Sequence, residues 1–354
     1  MSPTGASRLP LRRKMAFALV VFLAFGTVTG LALLGADVYA HARSQDVAGV
    51  NIWGYRGAPV GRKQAGETRV VILGGSTAFG WGLPAHEAIG VFLERRLLAD
   101  PRTTGRRVSV VDLGAPGQGV YGIRFDLEDF AYLDYDIVVL YEGYNDLGRN
   151  KSASDRAVPT DLLGRRRSLV FRLTGYYPIL PVLVREKAMA MLSGGDLDRA
   201  YAGEDVVFRP GLATRATART LKTAAEISQR LAARLGGLSS SPPMPSIDTQ
   251  CVPRWTSYCG DVQAAVSWAL ERNKHVVFVT QPYISDLHIE QQDNVVAMLE
   301  KQFGGDQRLR IANLGRAVDL RNRNIAYDGM HLVAAGNDVI AAYLVDPVLE
   351  SMRW

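Results

Sequence analysis

The sequence predicts an α/β fold in which helices cover both faces of a parallel sheet. Short apolar runs rich in β-branched residues alternate with longer stretches of helical periodicity, a pattern typical of doubly wound parallel sheets. Polar motifs follow directly after several of the apolar runs, where sheets of this kind bind their ligands. An uncharged apolar stretch near the N-terminus predicts one membrane-spanning helix ahead of the sheet.

Five apolar runs are predicted to be strands. The first, at residues 69–73, is continuous and β-branched, as expected of a strand buried on both faces. The other four strands are predicted at residues 108–113, 136–141, 276–280 and 309–314. A helix is predicted from Pro84, because apolar residues then recur at helical spacing (Ile89, Phe92, Leu93 and Leu97). Further helices are predicted at residues 216–235, 262–272, 288–303 and 334–352.

The apolar N-terminal stretch, residues 15–36, carries no charge. A helix of this length spans about 33 Å, which is enough to cross the hydrocarbon core of a bilayer. Four basic residues and no acidic residue precede it, so the positive-inside rule places residues 1–14 in the cytoplasm and the rest of the chain outside. We therefore predict a single-pass protein with an uncleaved anchor at residues 15–37. The alternative is a cleaved signal peptide, since residues 38–40 and 40–42 both have the small-x-small pattern of a cleavage site.

The formal net charge of the 354-residue chain is +6, but the basic N-terminus contributes four of these charges. The remaining charge is too small for an extended basic surface, so no nucleic-acid partner is predicted. The two cysteines, Cys251 and Cys259, lie in a stretch rich in Ser and Pro. In an oxidising compartment outside the cytoplasm they are predicted to form a disulfide, with two free thiols as the alternative.

Three polar residues have the properties that acyl transfer through a serine requires. Ser76 follows two glycines at the end of the first predicted strand. Asp328 and His331 are three residues apart and would be neighbours on a helical turn. The carboxylate would hold one imidazole nitrogen and leave the other for Ser76. We therefore predict Ser76 as nucleophile, His331 as base and Asp328 as the residue that orients the base.

An oxyanion site is predicted beside Ser76. Asn145 follows the third predicted strand, and its side-chain amide could donate to the oxyanion, as could the backbone N–H groups of Gly117 and Ser76. Each of these motifs alone could be ordinary: a Gly-Gly-Ser turn, a capping Asp beside a solvated His, or a turn-forming Asn. The order and spacing of all of them favour the catalytic interpretation.

Two other kinds of site are not predicted. Residues 117–122 read G-x-G-x-x-G, the dinucleotide-binding fingerprint. They follow the second strand rather than the first, and the acid expected about 20 residues later is only loosely matched, so no nucleotide cofactor is predicted. The five histidines are scattered and form no H-x-x-x-H pair, so no metal site is predicted.

With these motifs the chain resembles the SGNH/GDSL hydrolase superfamily. The family's named blocks are similar to residues 74–77, 114–119, 143–146 and 328–331, in that order. The family has Asp where this chain has Gly75, a departure that affects the surroundings of Ser76 but not the triad. The resemblance covers residues 67–350 and implies a flavodoxin-like three-layer α/β/α sandwich with a parallel sheet. It also implies ester hydrolysis or O-acyl transfer, with the triad and oxyanion residues in the roles given above.

The pattern along the chain predicts its organisation, and the resemblance together with the predicted compartment predicts its function. A juxtamembrane linker at 38–66 leads to an SGNH hydrolase-like domain at 67–354, interrupted by an insertion at about 150–210. This insertion is predicted to be a helical subdomain over the site or a basic, aromatic element on the membrane. The predicted function is an extracytoplasmic serine esterase acting on acyl or acetyl esters of envelope glycans or lipids, without a cofactor. An O-acyltransferase of an envelope polysaccharide and a catalytically silent glycan-binding module are the alternatives.

Overall fold

A parallel sheet forms the centre of the molecule. The computed structural model describes residues 10–47, 49–147, 168–193 and 251–352. Its strands are β1 (Glu67–Gly74), β2 (Arg107–Asp112), β3 (Ile137–Tyr141), β4 (His275–Thr280) and β5 (Leu309–Asn313). They lie in the order β2-β1-β3-β4-β5, and every neighbouring pair is parallel. This is the flavodoxin-like strand order, and it confirms the predicted fold class.

Helices cover the sheet on both faces. The helices of the described residues are α1 (Leu11–Ser44), α2 (Ser76–Phe79), α3 (Ile89–Ala99), α4 (Ile123–Asp129), α5 (Leu169–Thr174), α6 (Leu180–Ser193), α7 (Thr256–Glu271), α8 (Asp286–Phe303) and α9 (Ala334–Ser351). Alternate side chains of a strand point to opposite faces, so Val71 and Leu73 of β1 join one core with α4, α7 and α8. Val70 and Ile72 join the other core, with α3 and α9.

Helix α1 contains the predicted anchor and is long and apolar enough to cross a membrane, a test that a signal sequence would also pass. Its apolar stretch is exposed, and the exposed fraction of Phe17, Phe22 and Phe25 is 72–73%. The last turns of α1 behave differently, because Asp37 and His41 are buried against the folded domain.

The segment predicted to be a linker, residues 38–66, packs against the domain instead. Its first part belongs to α1, and Asn51, Tyr55 and Arg56 are buried. The Arg56 backbone N–H donates to the carbonyl of Asp112 at the end of β2 (3.0 Å), and the guanidinium donates to the carbonyl of Gly49 (3.0 Å). The scattered glycine and charge of this segment predict a linker, whereas backbone carbonyls of Val47, Gly49 and Leu83 accept hydrogen bonds from the buried Arg56 guanidinium.

The helix predicted from Pro84 begins later than expected. Residues Ala85–Glu87 form one 3₁₀ turn, Ala88 is extended, and α3 begins at Ile89. The Ala85 N–H donates to the carbonyl of Asp46 (2.9 Å), a contact distant in sequence that periodicity could not indicate. The helix predicted at 216–235 and most of the predicted insertion at 150–210 lie outside the described residues.

A disulfide joins Cys251, which precedes α7, to Cys259 in the first turn of that helix. Closing so short a loop should stabilise the fold by only about 2–3 kcal/mol, because the loss of chain entropy in the unfolded state increases with the length of the closed loop. We expect the double variant Cys251→Ala/Cys259→Ala to lose that much unfolding free energy in urea titrations. Two reactive thiols in the denatured, unreduced wild-type protein from its native compartment would contradict the disulfide.

Candidate active site

Ser76 lies where β1 ends and α2 begins. Gly74 is the last residue of the strand, Gly75 is extended, and Ser76 is the first residue of the helix. The side chain of Ser76 is partly exposed, whereas Thr77, Ala78 and Phe79 behind it are buried. The turn from β1 into α2 therefore places the Ser76 hydroxyl at the carboxyl edge of the sheet.

Ser76, His331 and Asp328 come together at this edge. The Ser76 Oγ is 2.9 Å from His331 Nε2, and His331 Nδ1 is 2.6 Å from Asp328 Oδ2. The ring of His331 therefore bridges the hydroxyl and the carboxylate, with one nitrogen facing each. In this arrangement the carboxylate favours the tautomer whose Nε2 can accept the serine proton.

A tight turn before α9 holds the carboxylate in place. Asp328 Oδ1 accepts the backbone N–H groups of Met330 (3.0 Å) and His331 (2.7 Å). Partial burial raises the pKa of Asp328, but the hydrogen bonds from the His331 ring and from these two N–H groups outweigh it and hold the pKa below its ordinary value. Asp328 is consequently an anion under neutral conditions and can stabilise an imidazolium.

Asn145 and Gly117 lie in the loops that follow the two strands beside β1. Asn145 Nδ2 donates to the carbonyl of Gln118 (2.7 Å), which ties the loop after β3 to the loop after β2. Gly117 is exposed in the latter loop, with a φ of 71°. A Cβ at Gly75 would lie 2.0 Å from Asn145 Nδ2, so the amide occupies the space that a side chain before Ser76 would need. This packing explains why glycine precedes Ser76 here.

Gln281 links the turn that carries Ser76 to the loop that carries Asn145. Its Nε2 donates to Thr77 Oγ1 (3.1 Å), and its Oε1 accepts the N–H of Tyr144 (3.0 Å). Gln281 follows β4 directly and is almost completely buried. Its position at the end of a predicted strand indicates either a residue that lines the pocket or a structural turn, and its contacts show that it links the two loops.

Glu142 lies beneath the same loop and is 1% exposed. Burial raises its pKa well above the ordinary value, and the charge of Asp146 raises it further. The Asn145 amide and the N–H groups of Gly75 and Gly143 lie near enough to lower the pKa in part, but neither carboxyl oxygen has a partner at hydrogen-bond geometry. Sequence analysis missed this residue, which follows an uninterrupted buried strand.

The raised pKa makes Glu142 a source of pH-dependent stability. An acid whose pKa is raised by folding stabilises the fold below its ordinary pKa, near 4.5, and that stabilisation is lost as pH rises toward the folded pKa. Glu142→Gln removes the ionisable group, so we expect it to gain about 1.4 kcal/mol over wild type per pH unit across that window. Urea titrations from pH 4 to 8 measure this, with exposed Glu300→Gln as control. Parallel curves for Glu142→Gln and wild type would contradict the assignment.

Two aromatic side chains border the site. The ring of Tyr327 stacks on that of His331, with centroids 5.8 Å apart and planes 15° from parallel. The Tyr327 hydroxyl donates to the carbonyl of Trp81 (3.2 Å), and the exposed fractions of Tyr327 and Trp81 are 44% and 48%. Such an exposed aromatic border offers apolar surface to a substrate beside the reactive hydroxyl. Among the described residues, no group of three His, Cys, Asp or Glu side chains could hold a metal ion.

Solved structures of several esterases are similar to this chain in fold. A family 3 carbohydrate esterase from Clostridium thermocellum is 11% identical with a TM-score of 0.43, over 81% of this chain and 100% of the other. A psychrotrophic esterase from Pseudoalteromonas sp. is 10% identical with a TM-score of 0.42, over 81% and 100%. A GDSL-like lipase from Bacteroides thetaiotaomicron is 14% identical with a TM-score of 0.39, over 83% and 93%. No protein-family model matches the chain, and no curated protein matches it in sequence.

Proposed function

We propose that the protein is a serine ester hydrolase of the SGNH type, with Ser76, His331 and Asp328 as its catalytic triad. The observation that carries this proposal is the pair of short contacts on His331, 2.9 Å to the Ser76 hydroxyl and 2.6 Å to the Asp328 carboxylate. A catalytically silent binding module would have no need for a hydroxyl, an imidazole and a carboxylate in this linear arrangement.

The reaction begins with attack by the serine. Ser76 Oγ gives its proton to His331 Nε2 and forms a bond to the ester carbonyl carbon. The carbonyl oxygen takes up the electron pair and becomes an oxyanion, which the Asn145 amide and the Gly117 and Ser76 backbone N–H groups stabilise. When the oxyanion collapses, the bond to the alcohol breaks, and His331 returns the proton to the departing alkoxide. An acyl-enzyme on Ser76 remains.

Water completes the cycle by the same steps. His331 takes a proton from water, the hydroxide adds to the acyl carbonyl, and Ser76 Oγ leaves with the proton held by His331. A sugar hydroxyl in place of water would make the same enzyme an O-acyltransferase. The substrates proposed are acyl or acetyl esters of envelope glycans or lipids, which are the esters available outside the cytoplasm.

We further propose that α1 is retained as a membrane anchor and is not cleaved. The contacts of its last turns support this proposal. His41 Nδ1 and Nε2 lie 2.9 Å and 2.8 Å from the carbonyl oxygens of Val50 and Tyr177, and Asp37 Oδ1 accepts the N–H of Leu180 (2.6 Å). Cleavage after residue 40 or 42 would remove Asp37, which is 4% exposed and makes part of these contacts.

Labelling of full-length protein in native membranes tests the chemistry. A fluorophosphonate reacts only with an activated serine, so we expect one labelled peptide, containing Ser76. A series of p-nitrophenyl esters of increasing acyl length then defines the substrate, and glycan acceptors added to the same assay distinguish transfer from hydrolysis. Absence of both labelling and turnover in folded protein would refute the esterase.

Intact mass and topology test the anchor separately. We expect the membrane fraction to contain the whole chain, and a C-terminal reporter to be active only outside the cytoplasm. A mature N-terminus at residue 41 or 43 would show a cleaved signal peptide and leave the esterase proposal untouched.

A further inference from the structure

Helix α5 presents apolar side chains to solvent beside the end of α1. The exposed fraction of Leu169 is 37%, of Val170 48% and of Leu173 74%, and Leu183 in the following helix is 40% exposed. We call these four residues the α5 patch. Single exposed apolar residues are ordinary, whereas a cluster of them on one short helix and the helix that follows is typical of a surface that contacts a protein or a membrane.

The patch is held firmly by the fold beneath it. Phe171, on the inner side of α5, is 5% exposed and packs edge-on against Phe130 and Tyr177, with ring centroids 6.4 and 6.3 Å away. A rigid base of this kind keeps Leu169, Val170 and Leu173 directed away from the core. The packing of Phe171 therefore fixes the position of the patch on the folded surface.

Direct hydrogen bonds connect the segment that carries the patch to the exit of α1. Asp37 is the first charged residue after the uncharged stretch, and it accepts hydrogen bonds from the Tyr176 hydroxyl and from the Leu180 N–H. One turn later, His41 Nε2 lies 2.8 Å from the carbonyl of Tyr177. The end of the apolar helix and the residues that follow α5 are thus parts of one packed unit.

These contacts set the height of the patch relative to a bilayer. The uncharged stretch of α1 is about 33 Å long, the thickness of a hydrocarbon core, so Asp37 lies at its outer boundary. Tyr176 and Leu180 bind Asp37 and lie at the same level, where tyrosine is enriched in membrane proteins. Leu173 is three residues from Tyr176, at most about 10 Å along the chain. Leu183 is about 4.5 Å from Leu180 along its helix.

We propose that the α5 patch inserts into the outer surface of the bilayer that α1 spans. The anchor and the patch then give the domain two contacts with the membrane, so the catalytic domain is held in one orientation instead of moving on a tether. The proposal rests on the retained anchor. It assigns the patch to lipid, at the level where headgroups meet acyl chains, because the residues that follow α5 are hydrogen-bonded to Asp37 at the outer boundary of the uncharged stretch.

Depth measurements on the full chain in phosphatidylcholine vesicles test the proposal. The variant Leu173→Cys carries an environment-sensitive fluorophore, and the vesicles contain lipids with a nitroxide quencher just below the headgroups. The control is Leu98→Cys, because Leu98 is 54% exposed on α3, in the layer on the opposite face of the sheet. We expect the probe at 173 to lose most of its fluorescence to the quencher and the probe at 98 to lose none. A probe at Val170→Cys should behave like that at 173.

The outcomes separate the patch from the anchor. Equal, weak quenching at 173 and 98 in protein that still floats with the vesicles would overturn the docking and leave the anchor intact. A probe at 173 that is shielded from water but not quenched by lipid would show that protein covers the patch, which also overturns it. Protein that alkaline carbonate releases from the vesicles would refute the anchor and the docking together, without affecting the esterase.

Discussion

Replacing Ser76 by alanine is expected to lower ester turnover by a factor of about 10⁴ or more, equivalent to about 5 kcal/mol of barrier. The change removes the oxygen that lies 2.9 Å from His331 Nε2, and with it the covalent path. The fold should survive, because the side chain of Ser76 is partly exposed and its backbone keeps the turn into α2. Turnover of a good p-nitrophenyl ester, with circular dichroism on the same samples, measures both effects.

Ser257→Ala is the matched control for this variant. Ser257 lies in the first turn of α7, is also partly exposed, and is remote in sequence from all the site residues. We expect it to keep wild-type turnover and fluorophosphonate labelling, whereas Ser76→Ala loses both. Wild-type turnover in folded Ser76→Ala would show that another group is the nucleophile.

Replacing Asn145 by alanine is expected to lower kcat by about 10²–10³ with little change in KM. The amide acts on charge that develops only in the transition state, so its loss raises the barrier more than it weakens substrate binding. Steady-state kinetics on the same ester separates the two parameters. An increase in KM at unchanged kcat would instead make Asn145 a residue that binds the ground state.

Gly75→Ala provides a second, independent way to displace the same amide. The added Cβ would lie 2.0 Å from Asn145 Nδ2, which is the movable end of a side chain, so the amide should shift while the fold persists. We expect Gly75→Ala to lower kcat as Asn145→Ala does. The double variant should lose little more than either single variant, because both changes remove one interaction. Full additivity would show that Gly75 acts on catalysis by another route.

Much of the fold follows from local pattern. The first strand is predicted at 69–73 and observed as β1 over Glu67–Gly74, and the last helix is predicted at 334–352 and observed as α9 over Ala334–Ser351. Such agreement is expected because hydrophobic periodicity reports which face of an element is buried, whatever its neighbours are. Hydrophobic periodicity could not predict the late start of α3, because the preceding turn is held by a hydrogen bond to Asp46, which lies in another part of the chain.

The site residues also fall into two groups, those that the sequence predicts and those that only the structure reveals. The sequence by itself names Ser76, Asn145, Asp328 and His331, because each follows a strand or forms a short motif that chemistry recognises. It also indicates that the carboxyl edge of a parallel sheet would gather the loops after the strands, since the connections between parallel strands leave those ends together.

Only the tertiary structure decides how these loops meet. The contact between Ser76 and His331 joins residues 255 positions apart, and its distance depends on the packing of every element between them. The same packing buries Glu142 and clamps Gln281 between two loops, and it brings Asn145 against the glycine before Ser76. Burial and contact are properties of the assembled layers, and hydrophobic period and motif spacing contain no information about which buried polar groups will face one another. For the same reason, residues 38–66, predicted to be a linker, become part of the domain, because His41 and Arg56 find hydrogen-bond partners in distant parts of the chain.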